Sequence, residues 1–423
     1  MATKSVHGSG SSQAAEADLP SLLAAARPFL RGELGEVDPE LPSLVSVLCS
    51  AGAGECHHSF GTFLEHLLGA HRVLRRWGAP DAVARCGLFH SAYSNSYVDL
   101  AIFEPDAGRD RVRAVVGSAA ERLVHLFCVV PRHALIHVGL HRRYTDAELR
   151  DHLAASRASV DAAAAGGAAS VDEPWRRKLR SLVPPEGVVV KHIRTGEPVA
   201  LPRRVVAAFV LMTVADSSDQ NTDYMDQLFA NDDGRLEYRG DNWGALWPGT
   251  GKPGLWMTAM SRLAAVYNLI ARDEELERLA AGAGKEEDDK ALELVIPPVF
   301  EGCTRVLDPE DQKAARDLYW EAICSRDGDA DGWKAAEALL REATAKNPFV
   351  GEPQLVLAQV LLNTGRYEEA LAAAEVGLRR LLEWGTSWDK RMSWEGWVSW
   401  PRGGGSWWTR PSRGSGRALP GAS

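Results

Sequence analysis

Apolar residues recur at steps of three and four along most of the chain, while strict two-residue alternation is scarce. In FGTFLEHLLGAHRVLRRWGAPD, an apolar stripe runs from Phe63 to Trp77 and stops at Gly78 and Pro80, which are typical helix stop signals. Asp81 then begins a second helical pattern, DAVARCGLFH. The pattern predicts two helices joined by a very short turn, within an all-α fold.

Low-complexity and charged stretches divide this helical pattern into two regions. The division predicts a disordered leader at 1–17, a first helical domain at 18–280 with an Ala/Gly-rich loop insertion at about 156–174, a linker at 281–292, a second helical domain at 293–400 and a disordered tail at 401–423.

The second region contains EPQLVLAQVLLNTGRYEEALAAAEVGLRRLL, which begins at Glu352. Its small and large apolar residues have the spacing of a tetratricopeptide-like helical hairpin, and the preceding segment GWKAAEALLREATAKNPF ends in Asn-Pro, as such repeats often do. One hairpin cannot bury its own apolar face. We therefore expect the region to pack through its tryptophan-rich segment, to bind a protein partner, and to contribute nothing to any chemistry.

Composition limits the classes of partner. The net charge of −9 leaves no surplus of Lys and Arg to neutralise nucleic-acid phosphates, so we expect no nucleic-acid partner. No apolar run reaches the roughly 18 residues that a membrane span needs, and the six cysteines are scattered, which is typical of a reducing compartment. We predict a cytoplasmic protein; the Ser- and Ala-rich N-terminus leaves organelle targeting open.

Three polar side chains lie on apolar helix faces. His66 shares the stripe of its helix, and a helical projection places His90 and Asp216 with apolar neighbours on two further helices. A buried carboxylate needs a positive or strongly donating partner. A divalent cation bound by two imidazole nitrogens and one carboxylate oxygen would satisfy all three groups. The alternative is that each histidine is a hydrogen-bonded core residue and Asp216 caps a helix or pairs with an arginine.

The order of these residues resembles the HD-domain superfamily of metal-dependent phosphohydrolases, and in particular the hydrolase domains of alarmone (guanosine tetraphosphate) synthetase/hydrolases. The resemblance lies in FLEHLL, GAPDAVARCGLFH, VVGSAAERLVHLF and the stretch around Asp216. The whole chain is similar to a plant and algal family in which an HD-like domain without an assigned function precedes helical repeats. The resemblance implies an HD-like helical domain followed by a short tetratricopeptide-like region. It also implies that His66, His90 and Asp216 are ligands of a divalent transition metal (Mn, Fe or Zn).

The chain departs from the HD pattern beside His90. Ser91 stands where the family has the Asp of its His-Asp pair, and Ser94 and Asn95 stand where the alarmone hydrolases have a Glu-Asp pair. A neutral hydroxyl is a weaker ligand than a carboxylate, and neither Ser94 nor Asn95 accepts a proton. Alarmone hydrolysis is therefore not expected, although zinc enzymes do work with three protein ligands. His58 and Ser91 are candidate additional ligands, with His58 on the side of His66 if the helix begins early enough.

A second polar cluster lies in PRHALIHVGLHRR, which begins at Pro131. Its arginines and histidines could line a phosphate site or form an ordinary helix surface; they are Arg132, His133, His137, His141 and Arg142.

Two functions are consistent with the sequence. The first is a metal-binding HD-like domain with altered phosphohydrolase activity on a small phosphorylated, nucleotide-like molecule. The alternative is a catalytically inactive HD-like protein that acts as an interaction scaffold through its helical repeats. The substitutions at Ser91, Ser94 and Asn95 leave the choice between an enzyme and a scaffold open.

Overall fold

The computed structural model of the 423-residue chain describes residues 18–96, 101–105, 107–167, 172–231, 235–238, 249–281, 292–303, 305–324 and 330–403. The predicted all-α fold is confirmed, because β-structure in these ranges is limited to three two-stranded antiparallel sheets and two isolated bridges. The predicted leader, residues 282–291 of the predicted linker and residues 404–423 of the predicted tail lie outside the described residues.

Helices account for most of the described ranges. In chain order they are α1 (Leu19–Arg31), α2 (Leu34–Val37), α3 (Leu41–Ser50), α4 (Phe63–Arg76), α5 (Asp81–Leu88), α6 (Arg109–Val116), α7 (Ser118–Val129), α8 (Asp146–Ala164), α9 (Pro174–Leu182), α10 (Arg203–Gln220), α11 (Asp223–Leu228), α12 (Met257–Ala281), α13 (Pro298–Cys303), α14 (Pro309–Cys324), α15 (Ala330–Lys346), α16 (Glu352–Asn363), α17 (Tyr367–Trp384) and α18 (Trp394–Gly403).

The shorter elements lie between these helices. The strand pairs are β1 (His57–His58) with β2 (Gly61–Thr62), β3 (Val188–Lys191) with β4 (Pro198–Leu201), and β5 (Phe229–Ala230) with β6 (Glu237–Tyr238). A π-helix spans His133–Val138, and 3₁₀ turns span Ala53–Glu55 and His141–Arg143.

The predicted pair of helices is confirmed as α4 and α5. Thr62 and Glu65 form a capping box at the start of α4, in which the Glu65 N–H donates to the Thr62 hydroxyl (3.2 Å) and the Thr62 N–H donates to the Glu65 carboxylate (2.7 Å). The turn at Gly78 has a positive φ of 75°, which glycine adopts without steric cost. The cap and the turn therefore fix where α4 and α5 begin.

Helix α10 is buried on nearly all sides and packs against α4, α5 and α12. Apolar residues surround most of its circumference, as expected of a core helix rather than a surface helix. Because α10 lies between these helices, it places the polar residues of its last turns against α4 and α5.

The predicted loop insertion at about 156–174 is wrong for its first part. Residues 156–164 form the last turns of α8, where Ser156 and Ser159 are buried, and α9 begins at Pro174. Alanine is the strongest helix former, so an Ala-rich stretch continues a helix that has good tertiary contacts. Residues 168–171 lie outside the described part of the chain.

The segment EPQLVLAQ…LRRLL forms the predicted helical hairpin, α16 and α17, with a turn at Gly365 (φ 78°). Helices α14, α15, α16 and α17 pack in series, each against the next. The assignment of this series to the tetratricopeptide class stays a prediction. Residues 401–403 of the predicted tail belong to α18.

The two predicted domains share one continuous hydrophobic core. Trp77 at the end of α4 packs on Phe300 and Trp384, with ring centroids 5.1 and 5.9 Å apart, and donates its indole N–H to the carbonyl of Glu383 (3.1 Å). The tryptophan-rich segment supplies buried side chains at this junction, as predicted: Trp384, Trp388, Trp394 and Trp397. The division of the chain into two domains remains a prediction.

None of the described helices is by itself long and apolar enough to cross a membrane; one sharply bent pair, Ser118–Val129 with His133–Arg143, meets the length and composition criteria together. Cys86, Cys128 and Cys303 are buried, whereas Cys49 and Cys324 are exposed.

Candidate metal centre

His66 on α4, His90 in the turn after α5 and Asp216 on α10 come together, as predicted, although His90 lies two residues beyond the last residue of α5 rather than on the helix. Nε2 of His66 lies 3.4 Å from Nε2 of His90 and 3.2 Å from Oδ1 of Asp216, and Nε2 of His90 lies 3.7 Å from the same oxygen. Both histidines are 4 % exposed. One donor atom from each residue therefore lies within 4.8 Å of the other two, which is the arrangement that a divalent transition metal requires of its ligands.

The charges of this cluster depend on its burial and on its carboxylates. Burial lowers the pKa of His66, but hydrogen bonds to Asp216 and Asp219 outweigh it and raise that pKa to about 9. Burial lowers the pKa of His90 to about 4. Burial alone would raise the pKa of Asp216, yet His90, His66 and Arg132 hold it well below its usual range. Without a metal, the cluster contains a charged His66, a neutral His90 and an ionised Asp216.

Asp219 is a site residue that the sequence pattern did not identify. Its Oδ2 lies 3.1 Å from Nδ1 of His66, on the side of the ring opposite Asp216. Gly69, one turn after His66 on α4, leaves the space that this carboxylate occupies: a Cβ there would lie 2.2–2.4 Å from the Asp219 carboxylate atoms. The spacing of Asp216 and Asp219 on α10 and of His66 and Gly69 on α4 was the available signal.

The segment after α17 reaches this carboxylate. The Thr386 hydroxyl donates to Oδ1 of Asp219 (3.3 Å), and the Lys390 ammonium donates to the Thr386 hydroxyl (2.9 Å) and to the carbonyl of Ser218 (2.9 Å). Nη2 of Arg72 lies 3.7 Å from Oδ1 of Asp219. The second region thus contacts the candidate centre, contrary to the expectation that it serves association alone.

The candidate additional ligands have other partners. His58 lies on β1 rather than on α4, but its ring centroid is 4.6 Å from that of His66. Its Nε2 bonds to Oε1 of Gln220 (2.8 Å), and Nε2 of Gln220 donates to Oδ1 of Asp216 (2.6 Å). The hydroxyl of Ser91 accepts from the side-chain amide of Asn95 (3.1 Å). Neither residue belongs to the group of three whose donor atoms converge.

The predicted alternative of an arginine partner for Asp216 is also present in the structure. Nη1 of Arg132 lies 3.8 Å from Oδ2 of Asp216, and its guanidinium lies 3.7 Å from the centre of the Phe127 ring. Arg132 is 2 % exposed, so its charge is buried beside the cluster. Asp216 thus faces both the imidazoles and one guanidinium.

The cluster after Pro131 is not an ordinary helix surface. Arg132, His137 and His141 are buried, and the π-helix stacks the rings of His133 and His137 with centroids 5.3 Å apart. Burial lowers the pKa of His137 to about 3, so its ring is neutral at pH 7. A phosphate ligand for this cluster stays a prediction.

A family model described as a domain of unknown function (DUF6817) matches residues 47–132, a stretch that contains His66, His90 and Arg132 but not Asp216. No curated protein and no solved structure matches the chain.

Proposed function

We propose that the chain binds a divalent transition metal through His66, His90 and Asp216, and that it acts at this centre on a small phosphorylated molecule. The observation that carries the proposal is the convergence of two imidazole nitrogens and one carboxylate oxygen within 4.8 Å, contributed by α4, the turn after α5 and α10. The donor set favours Mn, Fe or Zn over Mg or Ca, which prefer oxygen ligands.

The hydrogen bond of His90 supports this assignment. Nδ1 of His90 donates to the carbonyl of Gly87 (2.7 Å), because a carbonyl oxygen only accepts. In the neutral ring, the lone pair is therefore on Nε2, which is the atom that faces His66 and Asp216. An imidazole held in this way is oriented for a metal before the metal arrives.

The remaining polar groups suit a phosphorylated substrate. A bound divalent ion would supply Lewis-acid polarisation of a phosphoryl oxygen and a more acidic bound water. Arg132 places a buried positive charge beside Asp216, where it would attract the phosphate group.

We assign proton acceptance to His58, whose ring centroid lies 4.6 Å from that of His66. The amide of Gln220 donates to Asp216, so its oxygen faces His58 and accepts from Nε2 of that ring. The lone pair of His58 is then on Nδ1. Burial lowers the pKa of His58, which favours the neutral ring at pH 7. His58 would thus do the work of the Glu-Asp pair that the chain lacks at Ser94 and Asn95.

The experiment that tests metal binding is elemental analysis of the purified full-length chain, followed by Zn(II) titration against a competing chelator. We expect up to one transition metal per chain, and loss of binding in a His66→Ala, His90→Ala double variant that stays folded. His57→Ala, an exposed histidine on β1, is the matched control. Equal metal content in the double variant and the wild type would overturn the proposal.

The experiment that tests catalysis is release of inorganic phosphate or pyrophosphate from a panel of nucleotides by the metal-loaded chain. We expect His58→Ala to lower the turnover by about 10²- to 10⁴-fold, the usual contribution of a general base, while metal content stays at the wild-type value. Activity that is unchanged in His58→Ala would remove His58 from the proposed reaction.

The second candidate is an inactive scaffold, which two observations favour. Ser94 and Asn95 leave the usual water-activating pair absent, and the hydroxyl of Ser94 accepts from Arg194 (3.2 Å). Leu371 and Val376 on α17 are 44 % and 45 % exposed, which offers apolar contact area to a protein partner. A metal-loaded chain that releases no phosphate from any nucleotide would favour this scaffold.

A further inference from the structure

Asp219 links the candidate metal centre to the second region of the chain. Its two carboxylate oxygens have different partners: Oδ2 faces Nδ1 of His66 at 3.1 Å, and Oδ1 accepts the hydrogen bond of Thr386 at 3.3 Å. Asp219 is 4 % exposed and Thr386 is 4 % exposed, so little water competes for either contact. A buried carboxylate held at both oxygens has a fixed orientation.

The directions of these hydrogen bonds follow from the donors available. The Lys390 ammonium has only donors, so it donates to the Thr386 hydroxyl at 2.9 Å, and Thr386 uses its one proton toward Asp219. The ionised carboxylate only accepts, so Nδ1 of His66 carries the proton in their contact. These hydrogen bonds run from Lys390 through Thr386 to Asp219. They place the lone pair of a neutral His66 on Nε2, which faces His90 and Asp216.

The fold leaves space for the Asp219 carboxylate and attaches the C-terminal segment to the helices beside it. A Cβ at Gly69 would lie 2.2 Å from Oδ1 of Asp219, so only glycine lets α4 and the carboxylate approach this closely. Lys390 also donates to the backbone carbonyl of Ser218 at 2.9 Å, which attaches the C-terminal segment to the end of α10. The carbonyl of Gly385, next to Thr386, accepts from Nε of Arg72 on α4 at 2.8 Å. The segment is therefore hydrogen-bonded to both α4 and α10.

We propose that Asp219 is a positioning residue for the metal ligand His66, and that Thr386 and Lys390 of the C-terminal segment hold Asp219 in place. The second region is then part of the metal centre, and movement of this segment changes metal affinity without any change in the three ligands. This inference rests on the proposed function, because it concerns the orientation of a metal ligand. Partners of metal-bound histidines typically change metal affinity by about 10- to 100-fold when removed.

The experiment compares Zn(II) affinity and the Co(II) absorption spectrum in full-length variants. We expect Asp219→Asn to weaken Zn(II) binding by about 10- to 100-fold, and Thr386→Val and Lys390→Met to weaken it in the same direction by less. Thr386→Ser keeps the hydroxyl and should bind as the wild type does. Thr364→Val, which removes a hydroxyl bonded to backbone carbonyls of α16, and Lys346→Met, which removes an ion pair with Asp311, are the matched controls.

A structural role alone would lower stability in Thr386→Val without moving the Co(II) spectrum or the Zn(II) affinity of the folded fraction. Equal Zn(II) affinity in the wild type, Asp219→Asn and Thr386→Val, with binding lost in His66→Ala, would overturn the inference and leave the proposed function intact. If Asp219→Asn does not fold, Thr386→Val and its serine rescue decide the outcome in the same way.

A second readout separates the inference from the proposed function. In the metal-free chain labelled with ¹⁵N-histidine, the Nδ1–H of His66 should give a downfield, slowly exchanging signal that is lost in Asp219→Asn. A wild type that binds no Zn(II) refutes the proposed function, and this signal then decides only whether Asp219 orients the His66 ring. Persistence of the signal in Asp219→Asn overturns the positioning role; its loss supports that role.

Discussion

Nε2 of His66 and Nε2 of His90 lie 3.4 Å apart with their ring planes at 88°, although 24 residues separate them along the chain. Two lone pairs cannot face each other at this distance, so either a proton or a cation lies between the rings. Without a metal, the proton on His66 fills this role. A metal that replaces the proton would bind the folded chain only, because the two nitrogens meet only after folding.

The first prediction is that Zn(II) raises the melting temperature of the wild type. A ligand at a hundred times its Kd adds about 2.7 kcal/mol to the free energy of unfolding when it binds only the folded state. Calorimetry with and without Zn(II) measures this increase. His90→Ala should abolish it while His57→Ala keeps it; an equal increase in both variants would place the metal elsewhere.

The second prediction concerns Ser91, which is 5 % exposed and whose hydroxyl bonds to Asn95. Ser91→Asp should lower the stability of the metal-free chain, because it buries a carboxylate without a compensating charge. It should also raise Zn(II) affinity, because a second carboxylate neutralises the cation. Melting temperatures with and without Zn(II) should therefore differ more in the variant than in the wild type.

The control for this prediction is Ser91→Asn, which has the same shape without the charge. It should not increase the effect of Zn(II) on the melting temperature. Equal or weaker Zn(II) binding by Ser91→Asp would show that the Ser91 side chain does not reach the metal.

Local sequence patterns were sufficient to predict helix α4 and the burial of its candidate ligand His66. The apolar stripe of α4, the stop at Gly78 and the inward face of His66 each depend on residues within two turns, and the structure has all three. Asp219 was missed because a carboxylate one turn from Asp216 at a helix end is usually a solvated cap. Thr386 could not be predicted at all, since it reaches Asp219 from 167 residues away.

The burial of His71, on another side of α4, was also missed by the sequence pattern. A helical projection from His66 places it away from the stripe, so the sequence pattern predicts that it faces solvent or packs at an edge. In the structure it is 1 % exposed, and the charges of the Asp38–Arg85 ion pair act on the pKa of its ring. A single amphipathic stripe cannot predict a helix that is buried on two sides by distant segments.

The third prediction follows from this burial. Burial lowers the pKa of His71 to about 4, from a usual value of 6.5, and neither ring nitrogen has a hydrogen-bond partner among the described residues. The unfolded chain therefore binds this proton more readily. Stability is lost as the pH falls from about 6.5 through 4, by on the order of 3 kcal/mol at about 1.4 kcal/mol per pKa unit.

His71→Leu removes the titrating group and should lose less stability between pH 7 and pH 4.5 than the wild type. Denaturant unfolding at a series of pH values measures the difference. His57→Leu, on the surface, should follow the wild-type profile; identical profiles for all three proteins would exclude His71 as the source of acid sensitivity.

The fourth prediction has the opposite sign. Burial, together with Asp389, raises the pKa of Glu352 to about 7, although its Oε1 accepts backbone N–H groups of Trp388 (2.5 Å) and Asp389 (3.2 Å). The folded chain binds this proton more readily than the unfolded chain does. Stability therefore falls as the pH rises from about 4.5 through 7, again by on the order of 3 kcal/mol.

Glu352→Gln keeps an acceptor oxygen for both N–H groups and removes the ionisation. We expect it to be more stable than the wild type above pH 7 and similar to it near pH 4. Glu342→Gln, on the exposed side of α15, is the control and should change neither value. A variant that loses stability at pH 8 would mean that the ionised carboxylate is needed at this position.

The last prediction tests whether the first region is separable from the second. A chain that ends at residue 285 lacks Phe300 and Trp384, whose rings cover Trp77 at 5.1 and 5.9 Å, and it leaves Trp256 without its neighbour Trp384 at 6.0 Å. Aromatic side chains bury about 150–250 Å² each and dominate a core of this kind. We expect this chain to lose cooperative thermal unfolding and to bind a hydrophobic dye, whereas a chain that ends at residue 403 behaves as the full-length protein does. Cooperative unfolding together with wild-type Zn(II) affinity in the shorter chain would contradict both the shared core and the role of Thr386 at the metal centre.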